Sequence, residues 1–573
     1  MPLLTRKRTF TGLILFVLLG GAWLYWQRFT PVAMDKYVPE TALGYVEVND
    51  LPRLLSQFAA TDAWQQLAPL YSVNTKLQYA GWANWLGRWT GIGTKESLLV
   101  ARGQFALVVA GVEVRGDEVK PRMALLIETH GSESSVKALM QAQLPQLANR
   151  VFKQAVQETS EYSGVPITIY RAPNTDRQIL SASLGSTWLI ANDAATLQAC
   201  LDVRQGRVPA VAKNPLLAQA KAAVDRDGAV FAFVSNAGAS RLSQFFTHLL
   251  IGKALAGTPL AGMPEGIMAE ISEGTVEAMA YSVSFEKGGV LDRYAIVCKP
   301  EVTSSLQEAI RVPQDVVPEQ SEGVKLVPAT AQDMTLVNVA DPGQALDGVE
   351  RIVSGHLGAA QSFLFHKFFT SARKTFLGLE PGENPSTAIG TEVVRFSLGG
   401  NEADTEERVW LVAARNRQKL TQLAERLLQQ QGANLSRGTH QGVELTSTDK
   451  RAFAFVGNYL ALGSPGNVRR LLDELGKTKA LIATPQFTAA ARPKPMENSI
   501  MHGFSSVAAD THEMMMVLAR RLNGNPQANA ALVLERLPLA ATVTSLTARG
   551  VVRESRSPVG NFPLIVNFVD NLF

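Results

Sequence analysis

The chain has 573 residues, of which 46% are hydrophobic and 18% are charged, and its formal net charge is +4. This length predicts several domains, and the composition excludes a mainly disordered chain. The sequence has no run of three basic residues after Arg6, Lys7 and Arg8, so nucleic-acid binding is not an expected function.

The first predicted element is a transmembrane helix at residues 9–28. Residues 9–26 contain no charge and are long enough to span a bilayer. Three basic residues precede the segment and only Arg28 follows it, so residues 1–8 are expected in the cytoplasm and the rest outside. The alternative is a cleaved signal peptide ending near Ala22, but the aromatic residues that follow, Trp23 among them, favour an uncleaved anchor.

The rest of the sequence reads as two copies of one unit. Pro39 opens the segment PETALGYVEVND, and Pro328 opens the similar segment PATAQDMTLVNVAD. Further matches follow in the same order, namely residues 163–170 with 441–448, 184–202 with 456–474, and 214–220 with 484–490. We therefore predict extracytoplasmic repeats at residues 39–300 and 328–573, joined by a linker at 301–327. Their superposition is expected to pair Gly164 with Gly442 and Trp188 with Tyr459.

Each unit has the same predicted order of elements. A short strand at residues 44–50 precedes a helix that begins near Pro52, and an aromatic helix follows. Paired strands are predicted at residues 103–114 with 121–130 and at 391–400 with 408–416, and helices at 132–151 and 417–431. A strand meander, a helix and closing strands complete each unit. Strand pairs with inserted helices predict an α+β fold class: one N-terminal transmembrane helix followed by two tandem, homologous mixed sheet-and-helix repeats.

Both units carry an aromatic segment after their first strand and helix. In the first unit Trp82, Trp85 and Trp89 follow a spacing that places them on one face of a helix. In the second unit Phe365, Phe368, Phe369 and Phe376 have a comparable spacing. We take the three tryptophans and the first three of these phenylalanines as candidate contacts for a ligand or partner. The alternative is that each helix packs its aromatic residues into its own core.

Motifs for catalysis, cofactors or metals are weak. Ser-x-x-Lys occurs three times, at Ser134, Ser371 and Ser447, without the other motifs of the penicillin-binding enzymes. A group of Met and His residues near His502 and His512 suits either copper or a core, and a core is favoured. No cofactor is predicted, and a non-enzymatic role is favoured over an enzyme. The two cysteines are expected as buried thiols or one disulfide.

The motif Pro-x-Thr-Ala-x-x-Tyr-Val-x-Val-x-Asp of residues 39–50 resembles the opening of an uncharacterised bacterial family of exported or membrane-anchored proteins, known as a domain of unknown function. The resemblance implies a bacterial envelope location, here the inner membrane with most of the chain extracytoplasmic, and it supplies no catalytic residues. The expected function is a non-catalytic module that binds a partner protein or an apolar ligand near the membrane. The alternatives are a lipid-handling protein and an envelope enzyme.

Overall fold

The computed structural model describes residues 31–73, 103–115, 118–224, 228–246, 265–286, 288–313, 317–399, 408–430, 434–477, 479–493 and 498–572. The predicted anchor at residues 9–28 and the predicted contact residues Trp82, Trp85 and Trp89 lie outside these ranges. Within the ranges, no helix is both long enough and apolar enough to cross a bilayer.

Twenty strands of the described chain form a single sheet. The strands of the first half are β1 Gly44–Val48, β2 Gln104–Arg115, β3 Glu118–Glu128, β4 Val156–Tyr162, β5 Val165–Arg171, β6 Gln178–Leu184, β7 Thr187–Ala191, β8 Val230–Ser235, β9 Val276–Glu286 and β10 Gly289–Cys298. Those of the second half are β11 Ala331–Asn338, β12 Ile389–Leu398, β13 Arg408–Ala414, β14 Ser436–His440, β15 Val443–Ser447, β16 Ala452–Val456, β17 Tyr459–Gly463, β18 Ser499–Ser505, β19 Ala540–Thr547 and β20 Gly550–Ser557. Alternation defines β1, which buries Tyr45 and Glu47 and exposes Val46 between them.

Both halves of the sheet have the same strand order. The order is β4-β5-β6-β7-β3-β2-β1-β8-β9-β10 in the first half. It is β14-β15-β16-β17-β13-β12-β11-β18-β19-β20 in the second half. An antiparallel pairing of β10 with β20 joins the halves, and Arg293 lies opposite Glu554 in it. The Arg293 Nε donates to Glu554 Oε1 at 2.5 Å, so the junction contains a charge-assisted hydrogen bond.

Equivalent residues make the same local contacts in both halves. Isolated antiparallel bridges join Pro39 to Ala210 and Pro328 to Ala480. The helix after the first strand of each half follows an aspartate whose carboxylate accepts a hydrogen bond from a backbone N–H in the first turn, and a proline lies in that turn. These capping residues are Asp50 and Asp341. Pro39 and Pro328 therefore serve as common reference points for comparing the halves.

Gly164 and Gly442 lie in equivalent hairpin turns. Each is the second residue of a two-residue loop in which both residues have positive φ, 79° for Gly164 and 76° for Gly442. Such loops match the twist of paired strands and favour glycine. A later two-residue hairpin loop joins β6 to β7 in the first half and β16 to β17 in the second, and the second strands begin at Thr187 and at Tyr459. The predicted equivalence of Trp188 with Tyr459 is therefore wrong by one residue.

Helices pack on the sheet and between its halves. The helices before the junction are α1 Leu51–Ala59, α2 Asp62–Leu67, α3 Glu133–Phe152, α4 Ala194–Arg204, α5 Pro215–Ala223, α6 Asn236–Phe246, α7 Glu265–Thr275 and α8 Pro300–Ala309. The later ones are α9 Glu322–Lys325, α10 Pro342–Ser354, α11 Ala359–Leu377, α12 Arg417–Gln429, α13 Pro465–Glu474, α14 Pro485–Ala489, α15 Ala508–Leu522, α16 Ala530–Leu534 and α17 Phe562–Leu572. Each half has its own main core, and a further core combines α1 and α2 with α15 and α17.

The helix after each last strand crosses to the other half. After β10, α8 packs on α10, where Gly348 leaves room for Ala309. After β20, α17 places the ring of Phe562 on that of Phe58 in α1, with the ring centroids 4.0 Å apart. The halves are thus joined by a strand pairing and by two exchanged helices.

The predicted fold class, an anchor followed by two tandem repeats, is wrong. The described residues form one large α+β fold around a single 20-stranded sheet, and no membrane-spanning helix is found among them. Sequence matches show which residues correspond, but they do not show which edge strands pair. If each half stood alone, β10 and β20 would be sheet edges with unpaired backbone groups, and their pairing removes both edges. Residues 301–327, predicted as a linker, include most of α8, which packs on the second half.

Candidate functional site

The helix α11 is a surface helix that the described chain covers incompletely. It follows Gly358 and ends at Gly378, whose φ of 69° is the left-handed conformation that commonly closes a helix. Its polar contacts reach α10: His366 Nδ1 lies 2.5 Å from Glu350 Oε1, and Arg373 donates to a carboxylate of α10. These contacts fix α11 on α10, while much of its surface faces solvent.

The predicted contact residues on α11 have different environments. Phe365 is only 6% exposed, and its ring centroid lies 5.7 Å from that of Phe369 and 6.3 Å from that of Phe368. Phe368 and Phe369 are half-buried. Three other apolar residues of the helix are more exposed: Phe363 at 57%, Phe376 at 48% and Leu364 at 46%. Phe363 and Leu364 lie on one side of the helix, and Phe376 lies on another. Sequence reasoning found the segment but missed Phe363 and Leu364.

The sequence did indicate that some apolar residues of α11 would be exposed, although not which ones. A helix that packs one face on a core needs a single apolar stripe, whereas α11 has apolar residues around more than one side. Phe363, Leu364, Lys367, Lys374 and Leu377 are exposed and recur at helical spacing. We call these five residues the α11 face.

The α11 face is cationic as well as apolar. The sequence of α11 contains no Asp or Glu. The Lys367 Nζ lies 4.8 Å from the centroid of the Phe363 ring, within cation–π range, and Lys374 forms an exposed ion pair with Glu380 at 3.2 Å. Within the described chain Lys367 makes no ion pair, so its charge is available to an outside group.

A cleft of about 240 Å³ lies between α8 and α10, next to the start of α11. Glu301, Ser305 and Glu308 line it from α8, where they share one helix face. Arg351 lines it from α10, and His356 closes it just before α11 begins. The cleft, which we call the α8/α10 cleft, therefore has an acidic wall and a basic wall.

A second group of polar residues is buried in the first half, beneath β1. Lys221 Nζ donates to Asp35 Oδ2 at 2.8 Å and lies 3.6 Å from Glu47 Oε1. The other carboxylate oxygen of each acid and the hydroxyl of Tyr45 are buried without a hydrogen-bond partner in the described chain. Burial raises the pKa of Glu47, and the nearby Lys221 opposes this shift. We call these four residues the β1 cluster.

A third polar group lies at the junction of the halves. Tyr281 donates from its hydroxyl to Asp292 Oδ1 at 2.6 Å, and Asn561 Nδ2 donates to the same oxygen at 3.3 Å. Asn561 also hydrogen-bonds the hydroxyl of Tyr294 and precedes α17. Burial raises the pKa of Asp292 to about 6, although the hydrogen bonds from Tyr281 and Asn561 oppose this. This carboxyl group therefore titrates near pH 6.

The other sequence candidates lie in structural positions. Cys200 and Cys298 are free and buried, as the buried-thiol interpretation predicted, and burial raises the pKa of Cys200 to about 12 and that of Cys298 to about 11. Met514 and Met515 are buried in the core that joins the halves. Within the described ranges, no group of three or more His, Cys, Asp and Glu side chains is arranged to hold a metal ion.

Comparison of the chain with protein-family models, with curated proteins and with solved structures gives no match. The resemblance of residues 39–50 to an exported bacterial family therefore stays a prediction, and functional inference depends on the α11 face, the α8/α10 cleft and the two buried polar groups.

Proposed function

We propose that the protein is a non-catalytic binding module of a bacterial cell envelope, and that the α11 face attaches to the surface of a lipid bilayer. The observation that carries this proposal is the exposure of Phe363 and Leu364 on a helix without acidic residues. Helices that lie in a membrane interface combine Phe and Leu with Lys in this way.

Burial of Phe363 and Leu364 in the bilayer supplies the driving force for attachment. Complete removal of a Phe or Leu side chain from water stabilises the bound state by about 1.5–3 kcal/mol. Because Phe363 and Leu364 are already partly covered, we expect each to contribute less than this. Lys367 adds attraction to anionic headgroups, since it has no carboxylate partner in the described chain.

Charge favours a bilayer over a second copy of the chain as the occupant of this surface. In a two-fold dimer each patch meets its own copy. A contact through the α11 face would then bring Lys367 and Lys374 of one copy towards the same residues of the other, and like charges repel. An anionic bilayer has the opposite sign over its whole surface.

The positions of the perturbed carboxyl groups support a binding role over an enzymatic one. Glu47 and Asp292 are almost completely buried and lie outside the lining of the α8/α10 cleft. A general acid or base must reach its substrate, and these two groups instead contact other side chains of the protein, Lys221 and Tyr281.

The test uses a fluorophore on α11 in the full chain. Both native cysteines are buried with raised pKa values, so an environment-sensitive thiol probe on Ser371→Cys should label this site selectively. Ser160→Cys, at an exposed site on the strand β4, is the control position. After reconstitution into vesicles of phosphatidylcholine and phosphatidylglycerol, we expect the probe at 371 to be protected from aqueous iodide severalfold more than the probe at 160.

The double substitution Phe363→Ser with Leu364→Ser should abolish this protection. Leu532→Ser, which changes a leucine on α16 that is 56% exposed, should not. Equal quenching at positions 371 and 160 would refute bilayer contact. Protection at 371 that is as strong without vesicles would show that a protein surface covers α11 instead.

A further inference from the structure

We propose that the α8/α10 cleft binds the phosphoethanolamine headgroup of a lipid, with the phosphate at Arg351 and the ammonium between Glu301 and Glu308. This inference rests on the proposed function, because it names the lipid that the α11 face would meet. It follows from the separation of charge in the cleft and from its position beside α11.

Three charged side chains that line the cleft have no ion-pair partner within the described chain. Within the described chain Glu301, Glu308 and Arg351 make no ion pair, although they line the same cleft. Other carboxylates nearby are occupied: Glu350 contacts His366 and Arg373, and Glu270 accepts the backbone N–H of Gly358. Glu301, Glu308 and Arg351 are therefore available to bind a charged group in the cleft.

The two walls suit the two ends of a zwitterion. Guanidinium groups bind phosphate oxygens through two parallel hydrogen bonds, which assigns the phosphate to Arg351. A primary ammonium has three N–H donors, which match the carboxylates of Glu301 and Glu308. A choline headgroup has no N–H donor and would leave these acceptors unpaired.

Size and position agree with a headgroup. Pockets for drug-sized ligands span about 300–1,000 Å³, and the cleft, at about 240 Å³, is smaller. His356, at its edge, is followed by Gly358 and then by α11. A lipid held in the cleft by its headgroup would thus have its acyl chains beside Phe363 and Leu364.

The fold does not require an open polar cleft at this place. The equivalent crossing helix, α17, follows β20 and meets α1 of the first half through the stacked rings of Phe58 and Phe562. Both residues belong to an apolar core. The charged walls between α8 and α10 are therefore a feature of one half.

The first arm of the test uses soluble headgroups. Titration calorimetry of the full chain in detergent should show phosphoethanolamine binding at least tenfold more tightly than phosphocholine, since about 1.4 kcal/mol of charged hydrogen bonding corresponds to tenfold. Arg351→Gln and Glu308→Gln should each weaken binding by about the same factor. Arg536→Gln, an exposed arginine on a loop, is the control and should have no effect. Absence of phosphoethanolamine binding would overturn the proposal.

The second arm identifies the source of the headgroup. Replacing phosphatidylcholine by phosphatidylethanolamine, at constant phosphatidylglycerol, should increase protection of the probe at position 371, and Arg351→Gln should remove the increase but not the basal protection. Equal protection in both vesicles would overturn assignment to a lipid. If soluble phosphoethanolamine binds but α11 contacts no vesicle, the proposed bilayer attachment fails and the headgroup site stands.

Discussion

The two halves of the sheet share one strand order but bury different chemistry beneath their first strands. The β1 cluster places two carboxylates, a tyrosine and a lysine under β1. Counted from Pro39 and Pro328, the positions of Asp35, Tyr45 and Glu47 correspond to Val324, Met334 and Leu336 in the second half, and all three of these are fully buried. The same backbone therefore accepts either a charged or an apolar set.

The second half does keep one ion pair near this place. Arg492, which follows α14, contacts Glu319 and lies 5.1 Å from the centroid of the Phe487 ring. One cation there meets one carboxylate, whereas Lys221 meets two. Buried charges are weak evidence for stability, because desolvation offsets much of their attraction. The extra carboxylate of the first half is thus a feature that the fold does not need.

The exchanged helices differ in a similar way. The contact of α17 with α1 is closed and apolar, whereas the contact of α8 with α10 opens into the charged α8/α10 cleft. In this region the second half has the polar arrangement. Each half of the described chain therefore has a polar group that the other lacks: the β1 cluster in the first half and the α8/α10 cleft at the second.

The largest expected effect comes from removing the single cation of the β1 cluster. Lys221→Met keeps the side-chain stem over Phe231 but leaves Asp35 and Glu47 buried without a counter-charge. We expect the free energy of unfolding to fall by about 3–5 kcal/mol at neutral pH, the usual cost of breaking a buried ion pair. Urea denaturation followed by circular dichroism would measure this, and a change below about 1 kcal/mol would show that the cluster is more hydrated than its burial indicates.

The next prediction compares the exchanged helices. Phe562→Ala removes a buried ring that stacks on Phe58, and we expect a loss of about 3–5 kcal/mol. Glu308→Gln changes the exposed wall of the α8/α10 cleft and should stay within about 0.5 kcal/mol. Thermal melting of both variants would compare them directly. Similar losses of stability in the two variants would contradict the prediction, because they would show that the contact of α8 with α10 is packed as tightly as that of α17 with α1.

The third prediction concerns pH. Asp292 has no acidic counterpart in the second half, where the equivalent position of the last hairpin holds Arg553. Because the pKa of Asp292 is raised to about 6 in the folded protein, the proton is held more tightly there than in the unfolded chain. The resulting stabilisation is complete below about pH 4, the unfolded pKa of Asp, and is lost as the pH rises through about 6.

Asp292→Asn should remove this titration while keeping an acceptor for Tyr281. A shift of about two pKa units corresponds to about 3 kcal/mol, so the wild type should lose about that much stability relative to the Asn variant between pH 4 and 7. Glu47, whose pKa is also raised, contributes in the same direction in both proteins. Denaturation curves at several pH values would measure the difference, and parallel pH profiles for the two proteins would contradict the prediction.

Local elements could be predicted from the sequence because their signals are local. The strands predicted at residues 103–114 and 121–130 are confirmed as β2 and β3, and the helix predicted at 132–151 is confirmed as α3. The glycines at positions 164 and 442 marked the same turn in both halves, since a two-residue loop with positive φ restricts residue type.

Contacts between distant segments could not be predicted in this way. Lys221 reaches Asp35 across 186 positions, and neither residue stands out in its own segment. The pairing of β10 with β20 depends on two edge strands that each half presents separately. On α11 the sequence showed an aromatic segment, but the exposed side is set by how the helix rotates against α10, which its own residues do not specify.

The sharpest test of the comparison is to give the first half the apolar residues of the second. The combined variant gives Asp35, Tyr45 and Glu47 the apolar residues of the equivalent positions in the second half, Asp35→Val, Tyr45→Met and Glu47→Leu. It adds Lys221→Met, so that no cation remains in the β1 cluster. Well-packed apolar replacements of buried ion pairs are neutral or stabilising by about 1–4 kcal/mol, so we expect unfolding to require more urea than in the wild type.

The sign of the change decides between two explanations of the β1 cluster. If Lys221→Met alone destabilises the protein and the combined variant does not, then the lysine serves only to neutralise carboxylates that the fold can omit. A third variant, Asp35→Val with Tyr45→Met and Glu47→Leu, completes the cycle. The coupling between Lys221 and these three residues is then the change in the combined variant minus the sum of the two separate changes. A combined variant that unfolds as easily as Lys221→Met would show instead that the first half has adapted its packing around the charges, and that equivalent backbone positions in the two halves no longer have interchangeable cores.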